Sequence, residues 1–191
     1  MADKYVDIDS LKYLLYDVHK LEELLTRERF QDHDKESLDL FIDATKSFAD
    51  KELFPYIQEM DEKPAYHKDG QVFVHEQVKT MMEEGGDLGV ISGPFDYEDG
   101  GMQIPLLAQT ASNYILDAAN NHLPGYAGLT QGAAELIIHF ASQTLKDTYV
   151  PHMLAGRWGG TMCLTEPQAG SSLSDIVTKA TPTENGHYHI S

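Results

Sequence analysis

The sequence predicts a mainly α-helical chain that ends in the first strands of a β region. Up to about residue 157, apolar side chains recur at spacings of three and four, which is the period of an amphipathic helix. After Arg157 the apolar residues alternate instead, and Asn185-Gly186 signals a two-residue hairpin turn. We therefore predict a helical domain over 1–157 and an incomplete β domain over 158–191, with strands only in the second.

Six helices are predicted in the first domain. The first covers Asp7–Arg27, with Asp9 or Ser10 as its cap, and it is expected to dock on the chain's own core. The second covers Lys35–Phe54, and Pro55 kinks or ends it. After a polar loop over Met60–Gly70, the remaining helices are predicted at Val74–Leu88, Pro105–Asn120, Leu129–Phe140 and Ser142–Leu154, with an extended segment at Leu88–Pro94 and Gly156 ending the last helix.

The buried faces of the fourth and fifth helices are predicted mainly from their larger apolar residues. In the fourth helix the residues expected to point inward are Leu106, Leu107, Thr110, Tyr114 and Leu116 to Ala118. In the fifth helix they are Ala133, Ala134, Leu136, Ile137 and Phe140.

Composition excludes several classes of partner. The formal net charge of −17 argues against nucleic acid or an anionic membrane as the main partner. No apolar run approaches the ~18 residues of a membrane-spanning helix. The N-terminal residues Met1–Lys4 contain no apolar signal region, and the single cysteine, Cys163, cannot form an internal disulfide. These features predict a cytoplasmic protein.

Two groups of histidines raise the question of a metal site. His33 lies between Asp32 and Asp34, and His187 and His189 would share one face of a strand. Neither group has a further ligand close in sequence. We therefore interpret them as capping residues and exposed strand residues, and we predict no metal site.

The stretch Thr161–Ser172 begins as an apolar run of strand type and ends in a turn. Pro167 fixes φ and lacks an N–H donor, while Gly170 permits a positive φ. Such a turn leaves free N–H groups and hydroxyls, which suit the polar edge of a ring or a phosphate. On these residues alone, an ordinary strand-to-turn junction is the favoured interpretation.

This stretch resembles the signature of acyl-CoA dehydrogenases, in which a short strand along the flavin ends in Leu-Thr-Glu-Pro-x-Ala-Gly-Ser. Nine consecutive positions, Cys163–Ser171, fit that pattern closely. The whole chain resembles the N-terminal part of the family, meaning its helical domain and the first strands of its middle β domain. Three features resemble most closely the larger-subunit branch that includes 3-methylthiopropanoyl-CoA dehydrogenase: the extra leader helix before Asp34, the segment Pro124–Ala134 and the segment Gly159–Pro167.

The resemblance implies α,β-dehydrogenation of an acyl-CoA substrate with flavin adenine dinucleotide (FAD) as cofactor. It also implies an electron acceptor protein as partner and a homo-oligomeric parent enzyme. By position, the implied cofactor-binding residues are Met162, Leu164, Thr165, Gly170 and Ser171, and Ser171 also lies near the substrate thioester. No residue here is assigned as catalytic, since the family's base belongs to a C-terminal domain. Glu166 and Pro167 are expected to shape the turn.

The chain departs from the family pattern at two positions. Met162 stands where many members have an aromatic residue, and Ser172 stands where Asp is usual, with Asp175 too far along the sequence to replace it simply. Because the chain would supply one wall of a flavin cleft, we expect it neither to retain FAD nor to act on acyl-CoA by itself. The alternatives are an acyl-CoA oxidase of the same fold and a non-enzymatic helical interaction module.

Overall fold

A computed structural model describes residues 5–191, which form two compact units, the first ending at Thr161 and the second covering Met162–Ser191. The predicted mainly α-helical class is confirmed. No helix among residues 5–191 is long and apolar enough to cross a membrane. The domain division predicted at residue 157 stays a prediction.

The first unit contains eight α-helices and one small hairpin within the described residues. The helices are α1 (Ile8–Tyr13), α2 (Leu21–Leu24), α3 (Lys35–Phe48), α4 (Ile57–Glu62), α5 (Gln77–Asp87), α6 (Leu106–Asn120), α7 (Pro124–Phe140) and α8 (Gln143–Leu154). Strands β1 (Tyr66–Lys68) and β2 (Gln71–Phe73) pair antiparallel. In the second unit, β3 (Ala180–Pro182) and β4 (Tyr188–Ile190) also pair antiparallel.

The leader segment is broken, although one helix was predicted over Asp7–Arg27. After α1 the chain makes a π-helical turn, and Lys20 then takes a left-handed conformation with φ +53° before α2 begins. This break places the Leu21 side chain in the core, where it is fully buried. The predicted caps were wrong as well, because the Asp7 carboxylate accepts the hydrogen bond from the Ser10 N–H at 3.2 Å.

The leader docks on α3, as expected. The Tyr16 hydroxyl donates to the Asp39 carboxylate at 2.9 Å, and the Lys35 ammonium lies 4.5 Å from the centre of the Tyr16 ring. Lys12 pairs with Asp39 at 3.5 Å and with Asp43 at 2.9 Å. Since partly exposed ion pairs contribute little, the buried apolar residues of the leader supply most of the docking energy.

The helix that begins at Lys35 continues further than predicted. It passes through a π-helical turn at Ala49–Leu53 and a 3-10 turn at Phe54–Tyr56 into α4. Pro55 lies in the first turn of that 3-10 segment, so the predicted kink is confirmed. At the start of α3, Asp34 forms a capping box with Ser37. Within the described residues, no group of three or more His, Cys, Asp or Glu side chains is placed to hold a metal ion.

The hairpin β1–β2 was missed, because residues 60–70 were predicted as a polar loop and residues 71–73 were assigned to no element. Asp69 and Gly70 both take positive φ angles, 52° and 78°, which is the geometry of a two-residue hairpin turn. The rings of Tyr66 and Phe73 stack across the pair with their centres 5.0 Å apart. The dipeptide Asp-Gly was the sequence signal for this turn.

The predicted inward faces of α6 and α7 were wrong in part. Five of the predicted residues do belong to the core or pack against it, namely Leu107, Leu116, Ala133, Ala134 and Ile137. Leu106 is 70% exposed, Leu136 is 62% exposed and Phe140 is 84% exposed. The faces that are buried carry mostly small or polar residues, namely Ala108, Gln109, Ala111, Ser112, Ile115, Leu116, Ala119 and Asn120 in α6 and Ala127, Thr130, Ala134 and Ile138 in α7. Small side chains let neighbouring helices approach closely, and the Ser112 hydroxyl lies 3.1 Å from that of Thr45 in α3.

The segment over residues 88–94 is a series of turns rather than the extended segment predicted. Two glutamine side chains hold it in place. The Gln109 Nε2 atom of α6 donates to the Val90 carbonyl at 3.0 Å, and the Gln131 Nε2 atom of α7 donates to the Ile91 carbonyl at 2.8 Å. These two bonds, one buried and one partly buried, replace the strand pairing that an extended segment would have needed.

The end of the helical unit is fixed by close backbone approach. Gly156, which ends α8 as predicted, has φ +68°, and a Cβ atom there would lie 1.7 Å from the Met82 carbonyl oxygen of α5. A Cβ atom on Gly160 would lie 2.6 Å from the Ala133 Cβ atom of α7. The Gly160 N–H donates to the Thr130 hydroxyl at 3.0 Å. The chain therefore leaves α8 along one defined path.

We predict that Gly156→Ala lowers the free energy of unfolding by about 2–5 kcal/mol, because it adds both backbone strain and overlap with Met82. The matched control is Gly128→Ala, since Gly128 lies in the interior of α7 with nothing within 4 Å of the added methyl group. That control should stabilise the protein by up to about 1 kcal/mol. Urea unfolding followed by circular dichroism measures both, and equal effects of the two substitutions would contradict the close-approach account.

Candidate functional site

The second unit is built on the hairpin β3–β4. Backbone bonds between Lys179 and Ser191, at 2.8 and 3.1 Å, extend the pairing beyond the strands. The predicted hairpin is confirmed, but its loop contains three residues, 184–186, and not two. Gly186 has φ +74°, whereas Asn185 does not take the positive φ that a two-residue turn requires. The predicted strand over 176–181 is also shorter, because β3 begins at Ala180.

The signature turn lies within this unit and is closed by its own backbone. The Glu166 N–H donates to the Ala169 carbonyl at 2.9 Å, and the Ala169 N–H donates to the Glu166 carbonyl at 3.1 Å. Pro167 occupies the first central position, where its fixed φ favours a turn. The predicted turn is therefore present.

The Glu166 side chain ties this turn to the segment that leads into β3. Its carboxylate oxygens accept hydrogen bonds from the Val177 N–H at 2.9 Å and from the Thr178 N–H at 3.0 Å. The Gln168 side-chain amide also donates to it, at 2.5 Å. Hydrogen bonding by the Thr178 side chain, followed by the Val177 and Thr178 amides, lowers the pKa of Glu166 to about 2. The carboxylate therefore stays ionised at neutral pH.

A second contact supports the end of the signature. The Ser172 hydroxyl donates to the Asp175 carboxylate at 2.7 Å, and the Asp175 N–H donates to the Ser172 carbonyl at 3.0 Å. The sequence had placed Asp175 too far along to support this position. The 3-10 turn Leu173–Asp175 brings the carboxylate back to Ser172, so that expectation was wrong.

All five residues predicted to bind the cofactor, Met162, Leu164, Thr165, Gly170 and Ser171, are exposed. The run 161–165 was predicted as a strand, but the structure assigns it none. Within residues 5–191, the backbone N–H and C=O groups of 161–165 make no hydrogen bond, and neither does the Thr165 hydroxyl. This short run thus presents a row of free donors and acceptors directly before the closed turn. The assignment of these residues to a cofactor stays a prediction.

Sequence reasoning missed the residues that hold the turn. Val177 and Thr178 contribute through their backbone amides, 11 and 12 residues after Glu166. A backbone donor carries no residue-type signal, and no periodic pattern links positions that far apart. These contacts could be found only from the structure.

Comparison with known proteins gives the class of the chain. Residues 35–157 match the model of the acyl-CoA dehydrogenase N-terminal domain, and the chain belongs to the acyl-CoA dehydrogenase family. Members of this family are flavoprotein oxidoreductases. The resemblance inferred from Cys163–Ser171 is thereby confirmed at the level of the family.

Individual relatives agree with this assignment. The 3-methylmercaptopropionyl-CoA dehydrogenase of Ruegeria pomeroyi is 36% identical over 131 residues, which are 69% of this chain and 22% of that protein. A butyryl-CoA dehydrogenase of Syntrophomonas wolfei is 29% identical over 187 residues, which are 95% of this chain and 30% of that protein. The chain thus spans less than a third of the length of these relatives.

The fold agrees with that of a solved structure. A crystal structure of an acyl-CoA dehydrogenase complexed with FAD from Bacillus anthracis matches with a TM-score of 0.67 at 20% sequence identity. The match covers 84% of this chain and 26% of that chain. At this identity, the likeness shows the shared fold.

The exposed run 161–165 carries groups whose chemistry suits the polar edge of a flavin ring. The polar edge of the flavin ring carries both N–H donors and carbonyl acceptors. The run offers free backbone groups of both kinds together with the Thr165 hydroxyl, and the apolar side chains of Met162 and Leu164 are exposed beside them. The donor set therefore suits the cofactor that the family uses.

We predict that the chemical shifts of the Val177 and Thr178 amide protons change with pH around a midpoint near pH 2, because the Glu166 carboxylate that they bind becomes protonated there. The pKa of Glu166 is lowered on folding, so its hydrogen bonds are complete above its ordinary value of 4.5 and are lost as the pH falls towards 2. Nuclear magnetic resonance of the two amides as a function of pH measures this midpoint, and Glu166→Gln should abolish the titration. A midpoint near 4.5 would show that the carboxylate is not held as described.

Proposed function

We propose that the full-length protein containing this chain is an FAD-dependent acyl-CoA dehydrogenase, and that this chain supplies the segment facing the flavin. The observation that carries the proposal is the signature Cys163–Ser171, in which a run of free backbone groups precedes a turn fixed by Glu166. Family membership and the FAD complex of the Bacillus anthracis relative support it. When bound, FAD would accept the hydride removed from the substrate.

Each signature residue has a proposed role. Met162, Leu164 and Thr165 hold the polar edge of the ring, mostly through backbone groups, with the Thr165 hydroxyl adding one side-chain bond. Gly170 and Ser171 follow the closed turn, and Ser171 also contacts the thioester end of the substrate. The apolar side chains of Met162 and Leu164 shield the ring from water. Oriented in this way, these groups position the cofactor and take no part in proton transfer.

The substrate is proposed to be an acyl-CoA thioester, since both curated relatives are named for such compounds. The reaction is α,β-dehydrogenation, which requires a carboxylate base, and we assign that role to no acidic residue of this chain. An electron acceptor protein would reoxidise the flavin, and the enzyme would act as a homo-oligomer. We place it in the cytoplasm because of its acidic composition and its single cysteine.

We predict that Thr165→Val weakens FAD retention by about 1–3 kcal/mol, because it leaves a buried ring atom without its hydrogen bond while keeping the side-chain volume. The matched control is Thr181→Val, since Thr181 is an exposed residue of β3 in the same unit. The flavin-to-protein ratio after dialysis of the full-length protein, together with the flavin reduction potential, measures the effect. If Thr165→Val and Thr181→Val both left these values unchanged, Thr165 would have no contact with the ring.

A further inference from the structure

We propose that Glu166 is a positioning residue, whose bonds to Val177 and Thr178 set the direction in which the run 161–165 faces the flavin. This inference rests on the proposed function. It adds a residue that acts on the cofactor through the backbone and does not touch it.

Glu166 is the residue that fixes the C-terminal end of the run 161–165, and we call its contact with Val177 and Thr178 the anchor. Residues 161–165 make no backbone hydrogen bond within the described part of the chain, so their course is not fixed by pairing. Thr165 is bonded directly to Glu166, whose backbone closes the turn with Ala169. The Glu166 carboxylate then joins this turn to Val177 and Thr178. A continuous set of bonds therefore runs from the hairpin β3–β4 to Thr165.

This contact requires a carboxylate on a side chain as long as that of glutamate. Two amide N–H groups point at the side chain, and a carboxylate offers one accepting oxygen to each. In Glu166→Gln one of those oxygens becomes an NH₂ group, so a donor faces a donor and one bond is lost. In Glu166→Asp the charge remains, but the side chain is one methylene shorter and does not reach both amides.

The effect of the Glu166 contact on the flavin can be measured separately from its effect on the stability of the fold. The Glu166 side chain is partly exposed, and hydrogen bonds or ion pairs at such places contribute little to global stability. The helical unit has its own apolar core, which contains neither Glu166 nor its partners. Loss of the contact should therefore change the flavin environment more than the unfolding transition.

The experiment compares four full-length proteins, each loaded with FAD: the natural protein, Glu166→Gln, Glu166→Asp and the control Glu184→Gln. Glu184 lies exposed in the hairpin loop of the same unit, so its substitution removes one negative charge without touching the turn. The measurements are the dissociation constant of FAD, the visible absorption spectrum of the bound flavin, and the thermal unfolding temperature.

We expect both Glu166 variants to raise the dissociation constant of FAD about five- to tenfold and to shift the flavin spectrum, since each loses one hydrogen bond of the anchor. Their unfolding temperatures, and all properties of Glu184→Gln, should match those of the natural protein. The Asp variant distinguishes the effect of side-chain length from that of charge, because it keeps the negative charge but is too short to contact both amides.

Three results would overturn the inference. If both Glu166 variants bind FAD as the natural protein does, the anchor has no effect on the site. If only the Gln variant changes FAD binding and the flavin spectrum, the charge of Glu166 matters and its reach does not. If both variants unfold at a much lower temperature, the role of Glu166 is structural. If the natural protein neither contains nor takes up FAD, the proposed function itself fails, which is a distinct result.

Discussion

The carboxylate of Glu166 is the interaction on which the second unit depends. Its two oxygens accept the amides of Val177 and Thr178, which lie 11 and 12 residues further along the chain. This contact holds the turn 166–169 in place, because it joins the turn to the segment that enters β3. The C-terminal end of the exposed run 161–165 is thereby fixed in position, although the run has no backbone pairing within the described residues. The proposed flavin contact follows from this arrangement.

The helical unit shows how a different constraint fixes the path of the chain. Here small residues permit close contact between helices, and the glycines at 156 and 160 approach α5 and α7 more closely than any larger residue would allow. The turns between α5 and α6 are held by the buried side chain of Gln109 and the partly buried side chain of Gln131. Packing density, more than ion pairing, therefore decides where the chain leaves this unit.

Much of the fold could be predicted from local sequence patterns. The main helices, the kink at Pro55, the end at Gly156 and the hairpin near Gly186 all follow from periodicity and turn chemistry. The buried faces of α6 and α7 could be predicted only in part, because close packing selects small residues and leaves Leu136 and Phe140 outside. In the site, the signature identified the family, whereas the two backbone amides that bind Glu166 are distant in sequence and gave no signal.

The most direct test of the account is a structure of the full-length protein with FAD bound. We predict that the flavin ring lies against the run 161–165, with the Thr165 hydroxyl and the neighbouring backbone groups within hydrogen-bond distance of its polar edge. The Glu166 carboxylate should still accept the Val177 and Thr178 amides. A flavin bound elsewhere, with this run facing solvent or another polypeptide segment, would contradict the account.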